Sequence, residues 1–188
     1  MSPMSHVRRS AARILLIAGV VALAYATYVV VDARAYQARQ RRQFEATRQP
    51  AGPALVDGDA IGEIEIPRLG VSVMVMEGDS ESILQRAVGH VAGTALPAEM
   101  GNVVLAGHRD TFFRPLKRVR VGDAITVKTR QREFDYLVES TVVVPPTDLR
   151  VLESTGGRTL TLITCFPFSY IGSAPDRFIV RAREVKIP

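Results

Sequence analysis

A chain of 188 residues with a single cysteine cannot close an internal disulfide, and at 47% apolar composition it has material for one folded core plus an appendage. Its formal charge of +5 does not point to nucleic acid: residues 1–58 carry eight arginines against three acidic residues, whereas residues 59–188 carry sixteen basic and sixteen acidic side chains. The basicity flanks an apolar run and forms no nucleic-acid-binding face, so no nucleic-acid partner is expected.

Ile14 to Val31 is an uncharged run long enough to approach the ~30 Å hydrocarbon core of a bilayer as a helix. Ala22-Leu23-Ala24 and Ala24-Tyr25-Ala26 fit a small-x-small cleavage site, but the apolar run continues past them through Val31, which favours an uncleaved single-pass anchor over a signal peptide. Residues 1–13 then form a basic N-terminal tail, 14–31 the anchor, 32–58 a stalk and linker, and 59–188 the folded domain. Arginines flank the span on both sides, so charge alone does not orient it. Asp32 to about Arg48 is expected to prolong the helix, and Pro50-Ala51-Gly52-Pro53 to end it.

From Ala60 onward the pattern is short strands. Ile61–Ile66, Val71–Met76, Asn102–Ala106, Asp123–Thr129, Glu133–Val144, Arg158–Cys165 and Arg177–Arg183 are rich in β-branched and aliphatic residues. A short helix is expected from Ser80 to about Ala87, capped by Asp79 or Ser80, and a loop from Gly89 to Gly101 that contains His90. Glu63 and Glu65 share a strand face that reads as solvated rather than as a cation site. Many short strands with few helices in this length predict a mainly β fold, a small closed β-barrel.

The chemistry concentrates at strand ends. Cys165 ends one predicted strand and Arg177 opens the next, so antiparallel pairing brings thiol and guanidinium to the same end of a sheet. A cation beside a cysteine favours the thiolate. His108 directly follows a buried strand, after Gly107, which permits a tight turn. A thiolate nucleophile, an imidazole acid/base and a cation are what acyl transfer through a thioester needs. Asp110 either orients the imidazole or caps the turn Asp110–Phe113, and the cap is the favoured reading. Three scattered histidines and one cysteine have no metal-ligand spacing, so neither metal nor cofactor is expected.

Thr161-Leu162-Ile163-Thr164-Cys165 matches the Thr-Leu-x-Thr-Cys signature of sortases, and from about Ile61 to its C-terminus the chain resembles that family. Gly107-His108-Arg109 looks like the sortase histidine motif, and Arg177 follows the cysteine at the usual strand-loop-strand distance. The run Ala106–Phe113, with Phe166-Pro167-Phe168, is most similar to class D sortases. The resemblance implies an eight-stranded barrel and a cysteine transpeptidase. Cys165 attacks a threonine carbonyl in a Leu-Pro-x-Thr-Gly-like sorting signal of a secreted protein. A thioacyl-enzyme is then resolved by an amine of the cell envelope or of another protein. His108 is implied as the acid/base, Arg177 as the holder of substrate backbone and oxyanion, and Thr164 as a weaker candidate for substrate contact. His90 is similar to a second family histidine and is assigned no catalytic role. The resemblance also implies a cell-membrane protein with its N-terminus inside and its domain extracytoplasmic. Because the chain ends Val185-Lys186-Ile187-Pro188, it is read as a sorting enzyme and not as a sorted substrate. Transfer of the acyl group to water by a thiol peptidase, and a barrel binding module with an inert cysteine, are the competing readings.

Overall fold

The computed structural model describes residues 3–46, 55–154, 156–169 and 172–185. The linker expected at Pro50–Pro53 and the C-terminal Lys186–Pro188 lie outside these residues. One long helix, α1 (Pro3–Ala46), precedes eight strands: β1 (Ala60–Ile66), β2 (Val71–Glu77), β3 (Val88–His90), β4 (Gly101–Ala106), β5 (Ala124–Thr129), β6 (Glu133–Val144), β7 (Arg158–Phe166) and β8 (Asp176–Val185). The strands close into a barrel in the order β1-β2-β3-β4-β7-β8-β6-β5. The β2–β3 and β4–β7 pairs are parallel and the remaining pairs antiparallel. Closure leaves no exposed strand edge.

Period-two alternation sets the interior. On β7, Leu160 and Leu162 point inward, as do Val180 and Ala182 on β8 and Val103 and Leu105 on β4. The opposite parity, which includes Cys165 and Arg177, faces outward. Strand β4 is buried on both faces because a 3-10 turn at Leu149–Leu152 covers its start. The buried Asn102 fastens that cover: Nδ2 donates to the carbonyls of Val151 (3.0 Å) and Glu153 (3.3 Å), and Oδ1 accepts from Thr161 (2.7 Å) and Thr159 (3.2 Å). All of this amide's hydrogen-bonding groups are thereby satisfied, which removes the cost of burying it.

Helix α1 divides into two chemically different parts. Its apolar stretch is long enough to cross a membrane, and Ile14, Leu15, Leu16, Ile17 and Leu23 are exposed to more than half of their area. Beyond Val31 the helix is packed on the barrel rather than standing free as a polar stalk. Tyr36 and Phe44 cover the buried Met74, Met76, Ile83 and Ala87. Gln37 accepts from the Met74 amide (2.8 Å) and donates to the Arg86 carbonyl (2.5 Å). Arg41 pairs with Glu63, and Arg86 with Asp32 at 3.1 Å. Outward-facing methionines on β2 are buried because this helix lies over them.

Three expectations are corrected. The short helix α2 (Glu81–Leu84) is one turn, ending well before Ala87, and its preceding Ser80 makes no side-chain cap. His90 lies in a strand and not in a loop: β3 is only three residues long and pairs parallel to β2, a contact with little local signal. Glu63 and Glu65 are not a solvated pair, since Glu63 meets Arg41 and Ser72, and Glu65 meets Lys128 at 2.9 Å.

An ion pair pins the far end of the segment that leaves β4. Arg68 grips both oxygens of the buried Asp123 and donates to the Arg118 carbonyl (2.6 Å). The Arg68 guanidinium, with help from the Arg120 amide, holds the Asp123 carboxyl below its ordinary range. A depressed carboxylate contributes stability above its unfolded value and loses it as pH falls. Asp123→Asn should therefore lower Tm by about 3–6 °C at pH 7. The gap should close toward pH 3, as thermal melts across that range will show.

Candidate active site

Strand β4 runs parallel to β7, with Ala106 opposite Ile163, and so delivers the following residues beside the end of β7. The Gly107 amide donates to the Ile163 carbonyl (3.1 Å), and the Gly107 carbonyl accepts from the Thr164 hydroxyl (2.7 Å). Gly107 is required by packing: a Cβ there would lie 2.7 Å from the Phe113 ring, and Phe113 is fully buried. The Phe113 amide in turn donates to the His108 carbonyl (3.1 Å), which closes the turn carrying the imidazole. Gly107→Ala should push Phe113 and His108 apart and cut turnover about tenfold, with a loss of Tm, measured by steady-state kinetics and melts.

On the neighbouring strands, Cys165 of β7 is in direct register with Arg177 of β8. The thiol is free and half-buried. One guanidinium nitrogen, Nη1 of Arg177, donates to the Asp176 carbonyl (3.0 Å) and more weakly to that of Ala174 (3.4 Å), which fixes the side chain at its root. Its Nε and Nη2 have no hydrogen-bond partner among the described residues. Phe166, Phe168 and Phe178 form a cluster with ring centroids 5.3–6.2 Å apart, which props the start of the β7–β8 loop.

His108, Cys165 and Arg177 line one open cleft of about 300 Å³, closed on its other sides by residues 109–110 and 172–174. The three candidates drawn from different strand ends therefore share a single concavity. A fourth group, unseen in the sequence, meets them: Glu81 Oε1, at the start of α2, lies 3.4 Å from His108 Nε2. It carries no local motif and reaches the imidazole only because α2 folds back over the β4 exit. Asp110 lines the cleft, but its side chain makes no hydrogen bond among the described residues, so the expected cap is not formed.

Thr164 behaves differently from the other three. It is buried, and its hydroxyl is engaged with Gly107, so it faces the barrel side of β7 and not the cleft. His90 is likewise buried, with Nδ1 against Glu77 (2.8 Å) and Nε2 against Ala95 O and Thr94 Oγ1 (both 3.0 Å). Both of its ring nitrogens are occupied in tying strands to the 94–95 loop, a structural use. A larger cavity, about 620 Å³, lies toward the start of β7 among Arg158, Glu184, Arg183 and Glu139. Its charges pair with each other, Arg183 with Glu139 at 2.6 Å and Arg158 with Glu184 at 3.5 Å, and neither a thiol nor an imidazole lines it among the described residues. The smaller cleft is the one equipped for chemistry.

The Sortase domain profile matches residues 64–185, about two-thirds of the chain. The chain belongs to the sortase family. It is 36% identical over 129 residues to Sortase D of Bacillus subtilis, an alignment covering 68% of this chain and 65% of that protein. With Sortase SrtE1 of Streptomyces coelicolor it shares 34% identity over 185 residues, 85% of this chain and 53% of the relative. The chain thus spans between about half and two-thirds of the length of these curated relatives. Among solved structures, a Clostridium perfringens Sortase D5 transpeptidase superimposes with a TM-score of 0.72 at 28% identity, over 81% of this chain and 99% of that one. Sortase A from Corynebacterium diphtheriae gives 0.66 at 26%, over 86% and 85%. The eight-stranded sortase barrel expected from the signature is the barrel observed, and the class D likeness agrees with the Sortase D relatives.

Proposed function

We propose that this sortase is a membrane-anchored cysteine transpeptidase acting on secreted proteins that carry a Leu-Pro-x-Thr-Gly-like sorting signal. The observation that carries the reading is the single cleft shared by His108, Cys165 and Arg177. The Cys165 thiolate attacks the threonine carbonyl carbon. The unengaged donors of Arg177 meet the oxyanion as charge develops, in a geometry already fixed by its bonds to Asp176 and Ala174. His108 gives its proton to the departing amine as the peptide C–N bond breaks, which leaves a thioester on Cys165. An incoming amine then attacks the thioester, His108 takes its proton, and the thiolate is released. Glu81 lies where it stabilises the imidazolium form of His108, the state before the first proton transfer and after the second.

The exposed apolar part of α1 supports the anchor: Ile14, Leu15, Leu16, Ile17, Val20, Val21 and Leu23 are each more than half exposed. In this reading residues 14–31 cross the membrane, and residues 32–46 seat the domain at its outer surface. The acceptor is an amine of the cell envelope or of another protein. Thr164 acts through Gly107, holding the histidine turn, and does not itself contact the peptide.

The test uses the full chain in detergent with a fluorescent Leu-Pro-x-Thr-Gly peptide, with and without an amine acceptor such as triglycine. A product joined to the acceptor supports transpeptidation. Cleavage to the free acid alone, whatever the acceptor concentration, would make the protein a thiol peptidase. No turnover with rapid alkylation of Cys165 would point to a different signal sequence.

A further inference from the structure

We propose that Arg109 is a positioning residue that clasps the β7–β8 loop against the histidine turn and thereby sets the width of the cleft. This rests on the transpeptidase reading. The loop leaves β7 just after Cys165 and returns just before Arg177, and residues 172–174 form one wall of the cleft. Arg109 reaches across from the opposite wall. Its Nη1 donates to the Pro167 carbonyl (3.1 Å) and its Nη2 to the Gly172 carbonyl (2.8 Å). One planar guanidinium therefore holds both limbs of the loop at a fixed separation, which a point charge cannot do.

The placement in sequence matters as much as the bonds. Gly107, on the other side of His108, is tied to β7 through Ile163 and Thr164. His108 sits between two fastenings to the strand and loop that carry Cys165. The Gly107 fastening fixes the imidazole relative to the thiol. The Arg109 fastening fixes the wall against which a peptide must lie. Ordering that wall in advance removes a conformational cost from substrate binding, whereas the chemical groups keep their places without it. Loss of Arg109 should accordingly show in KM, and loss of the Thr164 hydroxyl in kcat.

The experiment compares the full-length parent with Arg109→Gln, Arg109→Lys and Thr164→Val, using the same peptide and acceptor. Arg109→Gln should raise peptide KM about tenfold with kcat changed no more than about threefold. Arg109→Lys should resemble Arg109→Gln, and should decide the matter alone if the glutamine variant fails to fold. Cys165 alkylation by iodoacetamide should stay within about twofold of the parent in both, since a small reagent needs no wall. Thr164→Val should lower kcat and leave KM unchanged. Hydrogen exchange over residues 166–177 supplies a readout independent of turnover, and should quicken in both Arg109 variants. An unchanged KM, full recovery in Arg109→Lys, or unaltered exchange would overturn the clasp. A parent that alkylates at Cys165 but does not process this peptide points to a different signal sequence, and the exchange measurement then decides the clasp by itself.

Discussion

Replacing Cys165 with alanine should abolish acyl transfer, a loss of about 10⁴-fold or more, while the domain melts within about 3 °C of the parent. The thiol is the strongest nucleophile among the side chains that line the cleft, and neither the Ser173 hydroxyl nor the imidazole should replace it. The fold should be indifferent because Cys165 faces outward at the end of β7 and is only half-buried, so removing its sulfur opens no core cavity. Circular dichroism and peptide turnover on the same preparation separate the two effects. Serine at this position should also be inactive, because a hydroxyl is far harder to ionise than a thiol.

Arg177 should be the next most sensitive residue. Arg177→Gln should lower kcat/KM by about 10²–10³, the usual cost of an oxyanion donor, with kcat taking most of the loss. Arg177→Lys should recover little of it. The native side chain uses one nitrogen to hold the Asp176 and Ala174 carbonyls and keeps others for substrate. A lysine ammonium, with no fork, cannot serve both duties in one geometry. The control is alkylation of Cys165: reactivity in Arg177→Gln shows that the cysteine is still presented. A kcat/KM within threefold of the parent would remove Arg177 from the chemistry.

Much of this architecture was legible in the sequence because it is written in local pattern. The β5–β6 hairpin and the β7–loop–β8 unit are runs of strand-forming residues divided by turn chemistry, and antiparallel pairing alone then aligns Cys165 with Arg177. The features with no signature in the sequence depend on distant partners. Residues 32–46 look like a solvated stalk because they are polar, yet Gln37 and Asp32 turn those polar groups toward Met74 and Arg86 of the barrel. Strand β3 is three residues long and contains a glycine, too little for any periodicity to register. Glu81 and Arg109 have ordinary surface compositions. Their meaning comes from an imidazole and two backbone carbonyls brought to them by tertiary structure. By sequence Gly107 reads as a turn former, but the reason for a glycine is the Phe113 ring packed against its α-carbon.

The docking of α1 bears on how the enzyme is handled. Met74, Met76, Ile83 and Ala87 are buried under Tyr36 and Phe44, and Arg86 is held by Asp32 and Gln37 just beyond α2, which bears Glu81. A fragment starting at residue 59 lacks that cover and exposes a methionine-rich patch beside the cleft. Full-length protein, or a fragment keeping residues 32–46, is therefore the material for the kinetic comparisons above.

Intact-protein mass spectrometry offers the most direct test of the proposed chemistry. The full chain is mixed with a Leu-Pro-x-Thr-Gly peptide in the absence of acceptor, quenched in acid and digested. A mass increase equal to the peptide up to its threonine, mapped to Cys165 and discharged by added triglycine, is the outcome predicted. A cleaved peptide with no adduct, or an adduct on any other residue, would contradict a thioacyl mechanism at Cys165.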